Sequence, residues 1–217
     1  MTTAELWSSL DVKLIAILRG ISPRETVPTV MALFDAGFRA VEIPLNSPDP
    51  FSSIARAVDV AQDYGACLVG AGTVLQAEQV DQVGEAGGNL IVSPDVNPEV
   101  VERSCQAGMA SFPGVFTATE AHRAIRLGAT GLKFFPASVV RAAGINAIRA
   151  TLPEGTQICA VGGVGPADFE EYKAAGVVGF GLGTNLYRPG DTTTQVAARA
   201  REAVAGYRAA FGAAVAA

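Results

Sequence analysis

The sequence predicts an α/β fold, a closed parallel (β/α)₈ barrel carried as one domain over residues 1–217 with an extra helix at the N-terminus. Three observations carry this reading. Glycines that suit the left-handed position after a helix fall at Gly37, Gly65, Gly87, Gly108, Gly128 and Gly176, at intervals of 28, 22, 21, 20 and 48 residues. A short β-branched or apolar run follows each stop, and the last, longer interval holds a further helix-like stretch and strand-like run. No dinucleotide fingerprint follows the first run, so an even barrel fits better than an open doubly wound sheet.

The elements follow in order. A helix-like stretch over residues 3–10 precedes the first strand, 14–18. Ser22-Pro23-Arg24-Glu25 is a capping box with proline at the first helical position, and Pro28 inside that helix predicts a kink or a late start. Strands two to four are expected at 40–43, 67–71 and 90–93, with helix starts at Asp49-Pro50 and Asn97-Pro98. Strand five is expected at 109–112, followed by a second capping box, Thr117-Ala-Thr-Glu120. Strand six, 131–135, leads to a helix over 139–152 closed by Pro153. Strand seven, 157–161, precedes a start at Gly165-Pro166, and strand eight, 178–182, is followed by a helix over 192–214 whose Ala-rich tail from Ala209 should fray. Eight strands alternating with helices make parallel βαβ units of the TIM-barrel kind.

Composition narrows the function. Lys and Arg number 16 against 21 Asp and Glu, a net charge of −5, which argues against a nucleic-acid partner. With 49% hydrophobic and 17% charged residues, the chain has the makings of a buried core rather than of disorder. No apolar run approaches the roughly 20 residues needed to span a bilayer, and the first residues lack a signal-peptide pattern, so no membrane association and a cytoplasmic location are expected. The three cysteines, Cys67, Cys105 and Cys159, form no CxxC, lie in apolar segments and read as small buried hydrophobes. His122 is the only histidine and falls on a helix, which leaves a conventional triad without a base at a strand end. No metal is expected, because no carboxylate and histidine cluster falls at strand ends.

In such a barrel the chemistry sits at the C-terminal ends of the strands. Alternation puts Ile15, Ile17 and Arg19 on one face, Ala40 with Glu42, and Lys133 with Phe135. If those faces point inward, an arginine, a glutamate and a lysine meet at one mouth. Lys13 and Lys173 read as solvated, whereas Lys133 lies in the apolar run Gly131-Leu-Lys-Phe-Phe-Pro136. Desolvation and a cationic neighbour there would supply a neutral amine, the nucleophile of Schiff-base chemistry; the alternative is a buried Lys-Glu ion pair tying strands together. Two glycine clusters, residues 161–165 and 179–185, follow strands seven and eight, where barrels of this kind bind phosphate with backbone N–H groups. Gly70-Ala-Gly-Thr73 could offer a hydroxyl and backbone donors to a carboxylate, or be only a tight turn.

Five segments carry a resemblance: Ile15-Ala-Ile-Leu-Arg-Gly20, Val41-Glu-Ile-Pro-Leu-Asn46, Val69-Gly-Ala-Gly-Thr-Val74, Leu132-Lys-Phe-Phe-Pro136 and Ala160-Val-Gly-Gly-Val164. In register from about Leu14 to Arg188, the chain resembles the 2-dehydro-3-deoxy-phosphosugar-acid aldolases, class I pyruvate aldolases that need no metal or other cofactor. Glu42-Ile-Pro-Leu-Asn-Ser-Pro48 and Gly181-Leu-Gly-Thr-Asn-Leu-Tyr-Arg188 resemble the galactonate branch. The resemblance implies cleavage of 2-dehydro-3-deoxy-6-phosphogalactonate to pyruvate and D-glyceraldehyde 3-phosphate, with the gluconate epimer as alternative substrate. It implies Lys133 as the Schiff-base lysine and Glu42 as proton shuttle. Arg19 and Thr73 would hold the carboxylate, Gly162, Gly163, Gly183 and Thr184 the phosphate, with Val161 near the epimeric hydroxyl. Thr184 stands where the galactonate branch commonly has serine and keeps the hydroxyl. The family is typically homotrimeric. Two further readings of the same mouth are a phosphosugar isomerase or epimerase with Glu42 as base, and a non-catalytic phosphate-binding barrel.

Overall fold

The computed structural model describes residues 1–212. Among these residues, nine strands pair in parallel in the order β5-β4-β3-β2-β1-β9-β8-β7-β6, with helices between them. The strands are β1 (Leu14–Ile17), β2 (Ala40–Pro44), β3 (Leu68–Gly72), β4 (Leu90–Val92), β5 (Ala110–Phe112), β6 (Gly114–Val115), β7 (Leu132–Phe134), β8 (Ile158–Val161) and β9 (Gly179–Leu182). The two ends of this order, β5 and β6, are consecutive in sequence and separated only by Pro113, so the sheet curls into a nearly closed barrel. The fifth expected strand is thus longer than 109–112 and divided at Pro113, which lacks an N–H for the ladder. Its first half pairs with β4 and its second with β7.

The helices are α1 (Thr3–Ser9), α2 (Pro23–Ala36), α3 (Pro50–Ala61), α4 (Ala77–Glu85), α5 (Pro98–Gln106), α6 (Ala118–Arg126), α7 (Ala137–Arg149), α8 (Phe169–Ala174) and α9 (Thr193–Phe211). All six stop glycines adopt positive φ, from +69° to +111°. Both capping boxes form, at Ser22 with Glu25 and at Thr117 with Glu120. The kink or late start expected at Pro28 does not occur: α2 begins at Pro23 and runs on through Pro28. Its cap and its buried face, Val30, Leu33 and Phe34, hold the helix despite one missing hydrogen bond. α7 starts earlier than expected and breaks at Arg141, whose φ is +59°. Its first turn is diverted because the Ser138 N–H donates to the Gly162 carbonyl, 3.0 Å away, on the loop after β8. The last helix ends at Phe211, and the part of its expected fraying that concerns residues 213–217 lies outside the described residues.

Two apolar layers follow from strand alternation. Leu14, Ala16, Val41, Ile43, Val69, Ala71, Leu132, Phe134, Ala160 and Phe180 pack outward in the cluster shared with the helices. Ile15, Ala40, Leu68, Leu90, Ala110, Phe112 and Cys159 pack inside the barrel with Leu6, Trp7 and Leu10 of α1. The N-terminal helix is therefore a plug in the barrel floor, with Trp7 fully buried and edge-on to Phe112 at 4.8 Å between centroids. Because Ile15, Ala40 and Cys159 face inward, residues two further along each strand do too, which aims the charged residues at the opposite end.

Two expectations about side chains are corrected. Cys67 and Cys159 are buried, but Cys105 is exposed at the last turn of α5, where its thiol contacts the Gly128 carbonyl at 3.2 Å. Lys173 is exposed, but Lys13 is half-buried; its ammonium donates to the Leu10 carbonyl at 2.8 Å, and burial lowers its pKa. Among the described residues, no helix is long and apolar enough to cross a membrane.

Candidate active site

Among the described residues, Glu42 and Lys133 are the two charged residues that are buried. Glu42 lies on β2 and is 2% exposed; Lys133 lies on β7 and is 7% exposed. Burial pushes the Glu42 carboxyl up to about 7, and the positive charges of Lys133 and Arg19 oppose that rise. Burial also lowers the pKa of Lys133, with Arg19 adding to the effect and Glu42 resisting it. The two do not form the ion pair that was the alternative reading: among the described residues the salt bridges are Arg103–Asp81 and Arg199–Asp191. One carboxylate oxygen of Glu42, Oε2, is buried without a hydrogen-bond partner. An unpaired buried carboxyl is destabilising, and such groups concentrate where proton transfer is needed. The Lys133 ammonium sits 4.9 Å from the centroid of the Phe135 ring, which stands at the rim, 38% exposed.

Arg19 follows β1 and is exposed. Its guanidinium donates through Nη1 to Asn46 Oδ1 at 2.6 Å and through Nη2 to Thr73 Oγ1 at 3.3 Å. Thr73, just past β3, has φ +57°. For a β-branched residue that is a strained conformation, on the order of 1–3 kcal/mol, and it turns the hydroxyl toward Arg19. Asn46 was missed as a site residue by the sequence reading. Asn46 lies in the turn after β2, where strand alternation no longer sets direction, so its contact with Arg19, 27 residues away, is not legible in the spacing.

The two glycine clusters face each other across the same end. Gly162 and Gly163 both take left-handed conformations, φ +92° and +74°. A β-carbon on Gly162 would press on the Phe135 ring and one on Gly163 would lie 2.6 Å from Ser138 Oγ, so the backbone is held bare between these two side chains. Consecutive amides in such a conformation form an anion-binding concavity. On the loop after β9, nothing lies within 4 Å of where a Gly183 β-carbon would stand, and Thr184 is exposed beside it. Asn185 joins the loops, its Nδ2 donating to the Val164 carbonyl at 3.0 Å, and Arg188 Nε pins the Thr184 carbonyl at 3.0 Å. Neither Asn185 nor Arg188 was read as a site residue; Asn185 bonds to backbone of the loop after β8, 21 residues away, which spacing does not reveal, whereas Arg188 reaches back four residues within its own loop. Val161 ends β8, buried against the space above Gly181. His122 stands apart on α6 with its ring 3.3 Å from Thr151 Oγ1.

A parallel barrel that gathers a lysine, a glutamate, an arginine and bare glycine loops at the carboxyl ends of its strands defines a barrel enzyme for small anionic substrates. Comparison with known proteins gives the family. The model of the KDPG and KHG aldolase family matches residues 9–197. A protein of Rhizobium meliloti (strain 1021), named a probable 2-dehydro-3-deoxy-6-phosphogalactonate aldolase, is 52% identical over 199 residues, covering 92% of this chain and 93% of that one. The 2-dehydro-3-deoxy-6-phosphogalactonate aldolase of Escherichia coli (strain K12) is 47% identical over 195 residues, covering 90% and 94%. A solved structure described as native KDPGal superposes with a TM-score of 0.88 at 47% identity, covering 91% and 95%. The chain belongs to the KDPG and KHG aldolase family, and it is an aldolase.

Proposed function

We propose that this aldolase cleaves 2-dehydro-3-deoxy-6-phosphogalactonate to pyruvate and D-glyceraldehyde 3-phosphate through a Schiff base on Lys133, with no metal or other cofactor. The observation that carries the reading is the buried, unpaired Lys133 amine with its pKa lowered, beside a buried Glu42 carboxyl poised near neutrality. The neutral amine attacks the C2 ketone, Glu42 supplies and removes the protons of carbinolamine formation, and loss of water leaves a protonated imine. Glu42 then takes the proton of the C4 hydroxyl as the C3–C4 bond breaks. The bonding pair passes to C3 and into the imine, which becomes an enamine, while C4 leaves as the aldehyde. Protonation at C3 and hydrolysis of the imine release pyruvate and return the amine. A carboxyl with a pKa of about 7 can both accept and return those protons at neutral pH.

The ends of the substrate fit the same frame. Arg19, oriented by Asn46 and Thr73, supports a site for the carboxylate, and Gly162, Gly163, Gly183 and Thr184 support one for the phosphate. Val161 offers no hydroxyl to the epimeric C4 position, which favours weak discrimination, so the gluconate epimer is cleaved as a second substrate. Membership in an aldolase family sets aside the isomerase and binding-barrel readings. The same reading takes residues 1–217 as one domain and the working enzyme as a homotrimer, to be checked by light scattering.

Incubation with pyruvate, reduction with borohydride and peptide mapping test the central step. Added mass on Lys133 is the expected result. Folded protein without an adduct, or an adduct on Lys13 or Lys173 instead, overturns it.

A further inference from the structure

Above Leu68 the inward face of β3 carries no side chain, because the next two inward positions are Gly70 and Gly72. Gly72 stands directly against Glu42. A β-carbon built on it would overlap Oε2 and Cδ of that carboxyl outright and lie 2.5 Å from Oε1, and these three are its nearest neighbours. Nothing in the backbone requires glycine here: Gly72 is not among the positive-φ residues, it pairs in ordinary register with Pro44, and its carbonyl accepts from the Leu45 N–H at 2.8 Å. The Glu42 carboxyl, in turn, has one oxygen with no hydrogen-bond partner. Its position is set by the walls around it.

We propose that Gly72 is a positioning residue for the aldol chemistry: its bare α-carbon is the slot in which the Glu42 carboxyl lies, and so fixes where that carboxyl meets the substrate. The inference rests on the reading of Glu42 as proton shuttle. An alanine at position 72 would satisfy the backbone and push the carboxyl out of place. Aspartate at position 42, one methylene shorter, would withdraw from the slot and tolerate that alanine.

The test compares Gly72→Ala, Glu42→Asp and the double variant in cleavage of 2-dehydro-3-deoxy-6-phosphogalactonate, followed by pyruvate release. Gly72→Ala should lower kcat on the order of 100-fold with KM changed less than roughly threefold, the pattern of a misplaced group that does not hold substrate. In the Glu42→Asp enzyme the same change should lower kcat by less than about fivefold. Losses that multiply, or a Gly72→Ala enzyme with full kcat, overturn the proposal. Should Gly72→Ala fold poorly, thermal unfolding answers instead. The substitution should lower Tm by about 5 °C in the native background and leave Tm unchanged in Glu42→Ala, where the obstructing carboxyl is gone. Equal drops in both overturn it. Glu42→Gln separates the two claims: full kcat there fells the shuttle and this inference together, whereas loss there with full activity in Gly72→Ala fells this inference alone.

Discussion

At the barrel floor, Gly131 and Gly179 give up side-chain volume to rings: a β-carbon on the first would lie 2.6 Å from the Phe112 ring, and one on the second 2.8 Å from Trp7. At the mouth, Gly72 yields to a carboxyl, and Gly162 and Gly163 yield left-handed backbone. The floor is apolar and closed by α1, so its glycines serve packing. The mouth holds a buried acid, a buried amine and a strained Thr73, none of which helps the fold. The contrast teaches that stability and chemistry are divided along the strand axis, and substitutions at the two ends should separate cleanly.

The largest effect expected is at Lys133. Lys133→Ala should abolish turnover and the borohydride-trapped pyruvate adduct while leaving Tm equal or higher, because a desolvated amine is removed. A fall in Tm with activity retained would make Lys133 a floor-like, structural residue and erase the contrast.

Next comes Glu42→Gln, which should lower kcat by about 10²–10⁴-fold. It also has a stability signature whose sign follows from linkage. The Glu42 pKa stands near 7 in the folded chain against an ordinary 4.5, so the folded state holds the proton more tightly. The associated stability is complete in acid and is lost as pH rises through 7. Glu42→Gln should therefore raise Tm at pH 8 and have progressively less benefit as pH falls toward 4.5. A Tm gain independent of pH would contradict the burial of the charge.

At the floor, Trp7→Ala should destabilise by about 3–5 kcal/mol, read by denaturant unfolding, yet leave kcat at moderate temperature within roughly twofold. A large loss of kcat in folded Trp7→Ala would show that the two ends are coupled after all.

The smallest effect tests the mouth alone. Val161→Thr should change the kcat/KM ratio between the galactonate and gluconate epimers by a few-fold, about 1 kcal/mol, with Tm nearly unmoved. An unchanged ratio removes Val161 from epimer choice.

The sequence by itself determined the order of strands and helices, both capping boxes and the six glycine stops, because these depend on local backbone preferences and on periods of two and 3.6. It also determined that Arg19, Glu42 and Lys133 share a parity with inward apolar residues, which is why their meeting at one end was legible. Where one local rule met a tertiary force, it failed: Pro28 did not kink α2, whose packing held it, and the fifth strand continued past Pro113 to pair with the other end of the nearly closed barrel. Only the tertiary structure decided that α1 plugs the floor, that Asn46 orients Arg19, that Asn185 ties two glycine loops, and that Gly72 gives room to Glu42. Those are contacts between residues 20 or more positions apart, set by how the strands lie side by side, and no local preference encodes such a distance.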